Sequence, residues 1–444
     1  MTSGTPAMGT ASPILPDAAA RRLLHSLHAP SRILVAISGG SDSTGLLLAL
    51  TQALSQTTTP HSLVAATVDH ALRAGSDDEA RSVARLCATL GVPHRILTWQ
   101  GEKPPTGIPA AAREARYGLL ADAAAAFGAN VIVTGHTADD QDETIAMRAG
   151  RSGDDSLGLS GMACAVLFDR RVWILRPFLD VRRQAIRDML KQHQVGWTDD
   201  PTNVDRRFER ARVRMDGVTE SSISAQDRAA ERRRLSGTAG DLVTRLATLH
   251  AGCLILLQPE ARHAQPEILR HALATLVTLA GGRAHRPGAD AVHRLMSLIL
   301  SGESSRTTLS GALVQCRRDG ILLLRENRDV LPRPLAPDQT LIWDGRFRIS
   351  NRSDRALVVR PGSSSFSGPG APRLTPGLRR HVGSILPEIV RHGAAAGEPP
   401  AADAAIVIEP AFPLFDRFLA DTDLALADAV AALFGRKAYL PPPA

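Results

Sequence analysis

"VAISGGSDST", Val35 to Thr44, decides how the first half of the chain is read. An apolar run leads into two adjacent glycines set among serines, and an aspartate follows. Strand, glycine loop and helix in that order make an anion site. Successive backbone N–H groups form a concave nest, and the following helix presents its positive end. Gly39 and Gly40 supply backbone freedom and close approach. Ser38, Ser41 and Ser43 add hydroxyl donors. Asp42 opposes a phosphate unless a cation stands between them, so the stretch predicts a phosphate-bearing ligand with a metal ion. Two rival motifs fail. A Walker A loop needs Gly-Lys before Ser or Thr, and none of the three lysines (Lys103, Lys191, Lys437) precedes either. A hydrolase elbow centred on Ser43 would need glycine where Ser41 stands.

The surroundings repeat the pattern. "RILVAIS", "LVAATVD", "HRILTW" and "VIVTG" read as buried strands. Helical patterns lie between them, at Thr44–Ser55, Asp77–Leu90, Ala110–Phe127 and Ala138–Gly150. Repeated βα predicts an α/β fold with a mostly parallel sheet. Beyond about residue 216 the pattern changes. "GDLVTRLATLHAGCLILLQ", "PEILRHALATLVTLAG" and "ADAVHRLMSLIL" read as helices. "TLSGALVQCRRDGILLLREN" and "LIWDGRFRIS" read as hairpins with Asp-Gly turns.

Bulk properties narrow the function classes. The chain has 444 residues, 44% of them hydrophobic, which fits two or three globular domains. No apolar run reaches the ~18 residues of a membrane span, and the opening residues lack a signal-peptide pattern, so a cytoplasmic location is expected. The net charge is +7, and of 52 basic residues all but three are arginine, which suits bidentate phosphate contacts. The four cysteines (Cys87, Cys164, Cys253, Cys316) form no CxxC pair, which argues against a cysteine zinc site or a redox dithiol. Cys87 reads as core packing.

Four further stretches carry candidates. In "VTGHTADDQDETIAMR", Asp140 and Glu143 share a helix face and His136 lies one turn earlier. Two carboxylates at a strand's carboxyl end, beside a pyrophosphate site, suit magnesium or its water ligands. In "PAAAREARYGLL", Arg113 and Arg116 share a face and can serve a nucleotide or phosphates. "VDHALR" places Asp69, His70 and Arg73 after the second strand. In "WTDDPTNVDRRFERARVR", Arg206, Arg207, Arg210, Arg212 and Arg214 can meet RNA phosphates.

SGGSDS after a first strand resembles the PP-loop of the N-type ATP pyrophosphatases. SGGSDS, VDHALR, AAREARY, GHTADDQDET, "LRPFLDVRR" and "DDPTN…RARVR", in that order, resemble the signature segments of tRNA(Ile)-lysidine synthetases over residues 30–215. The resemblance implies a Rossmann-like catalytic domain of adenine nucleotide α-hydrolase type, with a helical domain and a small α+β C-terminal region. It implies ATP and Mg2+ as co-substrate and cofactor. The partners implied are L-lysine and the tRNA(Ile) with a CAU anticodon, with no membrane; a homodimer is compatible with it. In that family ATP adenylates the oxygen on carbon 2 of the wobble cytidine, and the lysine side-chain amine displaces AMP. Asp42, His136, Asp140 and Glu143 are the implied catalytic group, with Asp42, Asp140 and Glu143 on the metal. Ser38 to Ser43 and Arg113 would hold ATP. Arg116, Arg207, Arg210, Arg212 and Arg214 would hold tRNA. Thr137 replaces the family's usual second histidine, and Arg210-Ala211 its usual Arg-Asn. The related cytidine thiolases generally rely on CxxC cysteines, which this chain lacks. A tRNA-binding protein without catalysis would have no use for three convergent carboxylates. The expected division is a disordered lead (1–25), a catalytic domain (26–215), a helical tRNA-binding domain (216–305) and a β-containing C-terminal region (306–444), with linkers near 361–376 and 394–405.

Overall fold

The structure, a computed structural model, describes residues 14–71, 76–152, 161–198, 225–369, 374–391 and 405–444. The chain divides into two compact units, Met1–Arg228 with Leu440–Ala444, and Ala229–Tyr439.

The first unit opens with α1 (Pro16–Ser26), where a disordered lead was expected. Proline in its first turn favours a helix start, and Ala19, Ala20, Leu23 and Leu24 form a buried stripe. Then follow β1 (Arg32–Ala36), α2 (Ser41–Ser55), β2 (Ser62–Asp69), α3 (Ser76–Thr89), β3 (His94–Thr98), α4 (Ile108–Phe127), β4 (Val131–Thr134), α5 (Ala138–Ser152), β5 (Ala165–Phe168), β6 (Val172–Leu175) and α6 (Arg183–Gln192). The expected βα alternation is present. Within this unit the strands run in the order β5-β6-β4-β1-β2-β3. All neighbours are parallel except β5 with β6. The β5–β6 hairpin, turned by Asp169 and Arg170 in left-handed conformation, was not foreseen.

Ile33, Leu34 and Val35 of central β1 are fully buried. "HRILTW" departs from the expected buried strand: β3 pairs with β2 at the end of the order and exposes Arg95 and Ile96. Cys87 is buried in α3, as expected. The chain proceeds outward from β1 to β2 and β3, then returns to place β4 on the other side of β1. That reversal is a topological switch point, and the crevice at the strands' carboxyl ends is where open α/β sheets bind ligands. Helix α6 packs on α2: Gly45 leaves the room that Ile186 fills, since a Cβ there would lie 2.2 Å from Cγ2 of Ile186. This packing brings the N-terminal turns of the two helices together. The last residues brace the same unit, with Trp173 Nε1 donating to the Leu440 carbonyl at 3.0 Å.

In the second unit α7 (Ala225–Leu246) ends where the expected helix was to continue. "ATLHAGCLILL" instead forms β7 (Ala247–His250) and β8 (Leu254–Leu257), turned by Ala251 and Gly252 at positive φ. α8 (Pro266–Ala280) and α9 (Ala289–Leu300) form as expected. β9 (Ser305–Leu309), β10 (Ala312–Arg317) and β11 (Gly320–Arg325) complete an antiparallel sheet in the order β7-β8-β11-β10-β9. The boundary expected at 305/306 therefore cuts through one sheet, because β8 pairs with β11. β12 (Arg333–Leu335), β13 (Thr340–Trp343), β14 (Phe347–Asn351), β15 (Leu357–Pro361), α10 (Pro376–Ile385), β16 (Pro387–Arg391) and β17 (Ile406–Pro410) build two three-stranded sheets. Asp344 and Gly345 turn the β13–β14 hairpin at positive φ, as the Asp-Gly pair predicted. Trp343, Phe347, Ile349, Leu357 and Val382 centre its core. The stretch 361–369 is tied to α10, with Phe366 N donating to the Arg379 carbonyl, rather than hanging as a free linker. The other expected linker, 394–405, lies outside the described residues except Ala405. α11 (Pro413–Asp416) and α12 (Leu424–Leu433) end the unit. Among the described residues no helix is long and apolar enough to cross a membrane.

Candidate functional site

The glycine loop stands at the switch point, between the end of β1 and the start of α2. Gly39 adopts φ +87°, and Thr198 N donates to its carbonyl at 2.9 Å. Ser43 braces the loop: its hydroxyl accepts from Ser38 N at 3.1 Å and donates to the Gly40 carbonyl at 3.2 Å. Ser41 donates to Asp42 Oδ1 at 2.9 Å. In this state the two hydroxyls serve the loop's own shape. On the other wall, Gly135 follows β4. A Cβ there would lie 2.8 Å from the Asp42 carbonyl and 2.9 Å from Ser43 N, so only glycine lets β4 approach the first turn of α2 this closely.

Helix α5 begins just beyond Gly135, capped reciprocally. Thr137 N donates to Asp140 Oδ2 at 2.9 Å, and Asp140 N to Thr137 Oγ1 at 3.4 Å. This is capping-box geometry with aspartate in the third helical position. Thr137 is fully buried and its hydroxyl also donates to Asp140 at 2.9 Å. The departure from the family's histidine thus fixes a candidate carboxylate in place. His136 lies between, with Nδ1 2.9 Å from the Thr134 hydroxyl.

The structure brings Asp42, Asp140 and Glu143 together, around a residue the sequence reading did not single out. Arg183, at the start of α6, donates from Nε to Asp42 Oδ2 at 2.9 Å. Its Nη2 lies 3.2 Å from Asp140 Oδ1 and 3.4 Å from Thr137 Oγ1, and its Nη1 lies 3.9 Å from Glu143 Oε1. Its backbone N–H donates to Asp139 Oδ2 at 2.8 Å. Burial opposes the guanidinium charge, but Asp42, Asp140 and Asp139 outweigh it and hold its pKa above the ordinary value. Glu143 is only 3% exposed. One turn later, Arg187 Nε lies 3.5 Å from Ser41 Oγ. The segment "LRPFLDVRR" ends at Arg183, but nothing local to it marks that arginine for this place, and Arg187 lies one turn beyond it.

The carboxylates expected to hold a metal, Asp42, Asp140 and Glu143, meet around Arg183. Among the described residues no group of three or more His, Cys, Asp or Glu side chains is arranged to hold a metal ion.

The described contacts of Arg113 and Arg116 are with Tyr117, each guanidinium 5.0 Å from its ring centroid. Burial alone would raise the Tyr117 phenol, but Arg116, Arg176 and Arg113 together lower its pKa to about 8. A phenolate signal half-titrating near that pH is expected in near-ultraviolet absorbance. It should vanish in Tyr117→Phe and move upward in Arg116→Ala. Titration only near the ordinary ~10 would mean that the guanidiniums do not govern the phenol. In "VDHALR", Asp69 accepts from Ala71 N at 2.8 Å, and His70 meets Trp99 edge-on at 6.0 Å. Burial, then Arg116, lowers the His70 pKa. Arg73 and the set Arg206, Arg207, Arg210, Arg212 and Arg214 lie outside the described residues.

In the second unit an open depression of about 470 Å³ is lined by Arg306, Leu313, Glu326, Arg328 and His381.

A PP-loop domain model matches residues 16–220. A tRNA(Ile)-lysidine synthase from Rhizobium meliloti is 40% identical over 446 residues, covering 96% of each chain. The one from Mesorhizobium japonicum is 42% identical, covering 90% of this chain and 91% of that one. A third, from Brucella canis, is 38% identical over 91% of this chain and 94% of its own.

Proposed function

We propose roles for the site residues from the premise that this chain belongs to the tRNA(Ile)-lysidine synthase family, as its likeness along nearly the whole length establishes. The PP-loop domain implies ATP use, and the family name implies a tRNA(Ile) substrate. The proposed reaction joins L-lysine to carbon 2 of the wobble cytidine in the CAU anticodon. The observation that carries this reading is the assembly at the switch point: a loop and the first turn of α2 with Asp42 on one side, and Asp140 and Glu143 of α5 on the other.

Backbone N–H groups of Gly39 to Ser41 and the α2 dipole receive the ATP phosphates. Attack by the cytosine carbonyl oxygen on the α-phosphorus expels pyrophosphate and leaves an adenylated base. That oxygen is a poor leaving group on its own and a good one as part of AMP. The lysine side-chain amine then attacks carbon 2, AMP departs with the oxygen, and the amine loses its proton. The acidic face of Asp139 and Asp140 attracts the lysine ammonium before that loss, and His136 assists proton transfer. Asp42, with Asp140 and Glu143 beside it, would hold a magnesium ion bound with ATP, and that ion would offset charge on the phosphates. Arg113 serves the nucleotide. Arg116, with Arg207, Arg210, Arg212 and Arg214, serves tRNA phosphates.

The test is incubation of the full-length protein with ATP, labelled lysine and bulk tRNA. Label should enter tRNA with release of AMP and pyrophosphate. Pyrophosphate release without labelled tRNA would remove lysine from the reaction, and binding of tRNA with no ATP turnover would leave a binding protein only.

A further inference from the structure

Four carboxylates gather at the mouth of the glycine loop, and one side chain answers most of them. Asp42 comes from α2, Asp139, Asp140 and Glu143 from α5, and Arg183 from α6. Its three guanidinium nitrogens are directed at three different carboxylates, at 2.9, 3.2 and 3.9 Å. Arg183 is mostly buried, with 17% of its side chain exposed, and Thr137 and the Asp139 contact to its backbone fix its start. We propose that Arg183 is a tethered counter-cation, a positioning residue that fills the place among Asp42, Asp140 and Glu143 which a divalent ion would otherwise take. A divalent ion then enters only with ATP, whose phosphates supply most of its ligands and draw Asp42 away from Arg183.

Electrostatics favours this arrangement. Carboxylates this close repel one another unless a cation lies among them. A guanidinium presents several donors in one plane, so it can meet several oxygens from different helices at once. It carries one charge and cannot dissociate, so it keeps the three helix ends in register whenever the nucleotide is absent. A free divalent ion would hold Asp42 more strongly, and product pyrophosphate with it. Arg183 thus gives the emptied site a resting state.

The inference rests on the reading of the loop as an ATP site, but its test needs neither lysine nor tRNA. Mn2+ serves as the probe, and free Mn2+ is counted by its paramagnetic resonance signal in the presence of full-length protein without ATP. The wild type should bind none at sub-millimolar Mn2+. Arg183→Gln should gain one site, tightening apparent affinity at least tenfold, and adding Asp42→Asn to it should abolish the gain. Arg183→Lys, which keeps the charge, should resemble the wild type and covers the case in which Arg183→Gln fails to fold. Tight Mn2+ binding by the ATP-free wild type would overturn the proposal. So would a folded Arg183→Gln that binds no more Mn2+ than the wild type, or an Arg183→Lys that binds as tightly as Arg183→Gln. If these outcomes hold while labelled lysine fails to enter tRNA, the reaction assignment falls and the role of Arg183 stands.

Discussion

Asp42→Asn should lower pyrophosphate release by at least roughly 100-fold while leaving the protein folded. The carboxylate sits in the first turn of α2, where the helix dipole already stabilises negative charge. One oxygen accepts from Ser41 and the other from Arg183. The amide keeps the shape and one acceptor but loses the charge that meets cations. Stability should change little, because Arg183 keeps Asp140 as a partner and one repulsive charge is gone. The check is a pyrophosphate-release assay with ATP, magnesium and tRNA, beside a thermal melt. Near-normal release by a folded Asp42→Asn would remove Asp42 from the chemistry. A melt lowered by many degrees would instead make it a structural anchor.

The two halves of this site differed in how far the sequence disclosed them. The loop is local: strand, two glycines and helix are contiguous, so "VAISGGSDST" predicts its own geometry. Asp140 and Glu143 were legible because helical periodicity sets their common face. Arg183 was not, because its partner Asp42 lies 141 residues away and only the packing of α6 on α2 joins them. Gly135 was likewise silent, since its need is set by the backbone of another helix. The helix at Pro16–Ser26 was misread because its small-residue face looks like low complexity until α2 covers it. The β7–β8 hairpin was misread because a short, mostly apolar run does not tell strand from helix by its period; Ala251 and Gly252 at positive φ make the difference.

The second unit should be acid-labile through Asp423 and His271. Asp423 follows the last strands and precedes α12, and it is 5% exposed. Its carboxylate accepts two bonds from Arg232, at 3.0 and 2.8 Å, and one from Arg286 at 3.2 Å. Burial alone would raise its pKa, but Arg286 and Arg232 hold it well below the usual carboxylate range. His271 of α8 is buried, with no hydrogen-bond partner for Nε2 among the described residues. Burial, then Arg286, pushes its pKa down to about 3. The unfolded imidazole takes a proton near its ordinary ~6.5 while the folded one refuses it. Stability from His271 is therefore complete above about 6.5 and falls as the pH drops, by up to ~1.4 kcal/mol per unit. Asp423 adds a second loss lower down, below its ordinary ~3.9. At neutral pH, Asp423→Ala should destabilise the unit by about 3–5 kcal/mol, because it leaves two guanidiniums facing each other without their anion. Hydrogen exchange followed peptide by peptide isolates residues 229–439 in the full chain. Protection there should fall between pH 6.5 and 5 in the wild type and stay level in His271→Leu. A flat profile in the wild type, or an Asp423→Ala variant as protected as the wild type, would mean that the network only decorates a unit held by its apolar core.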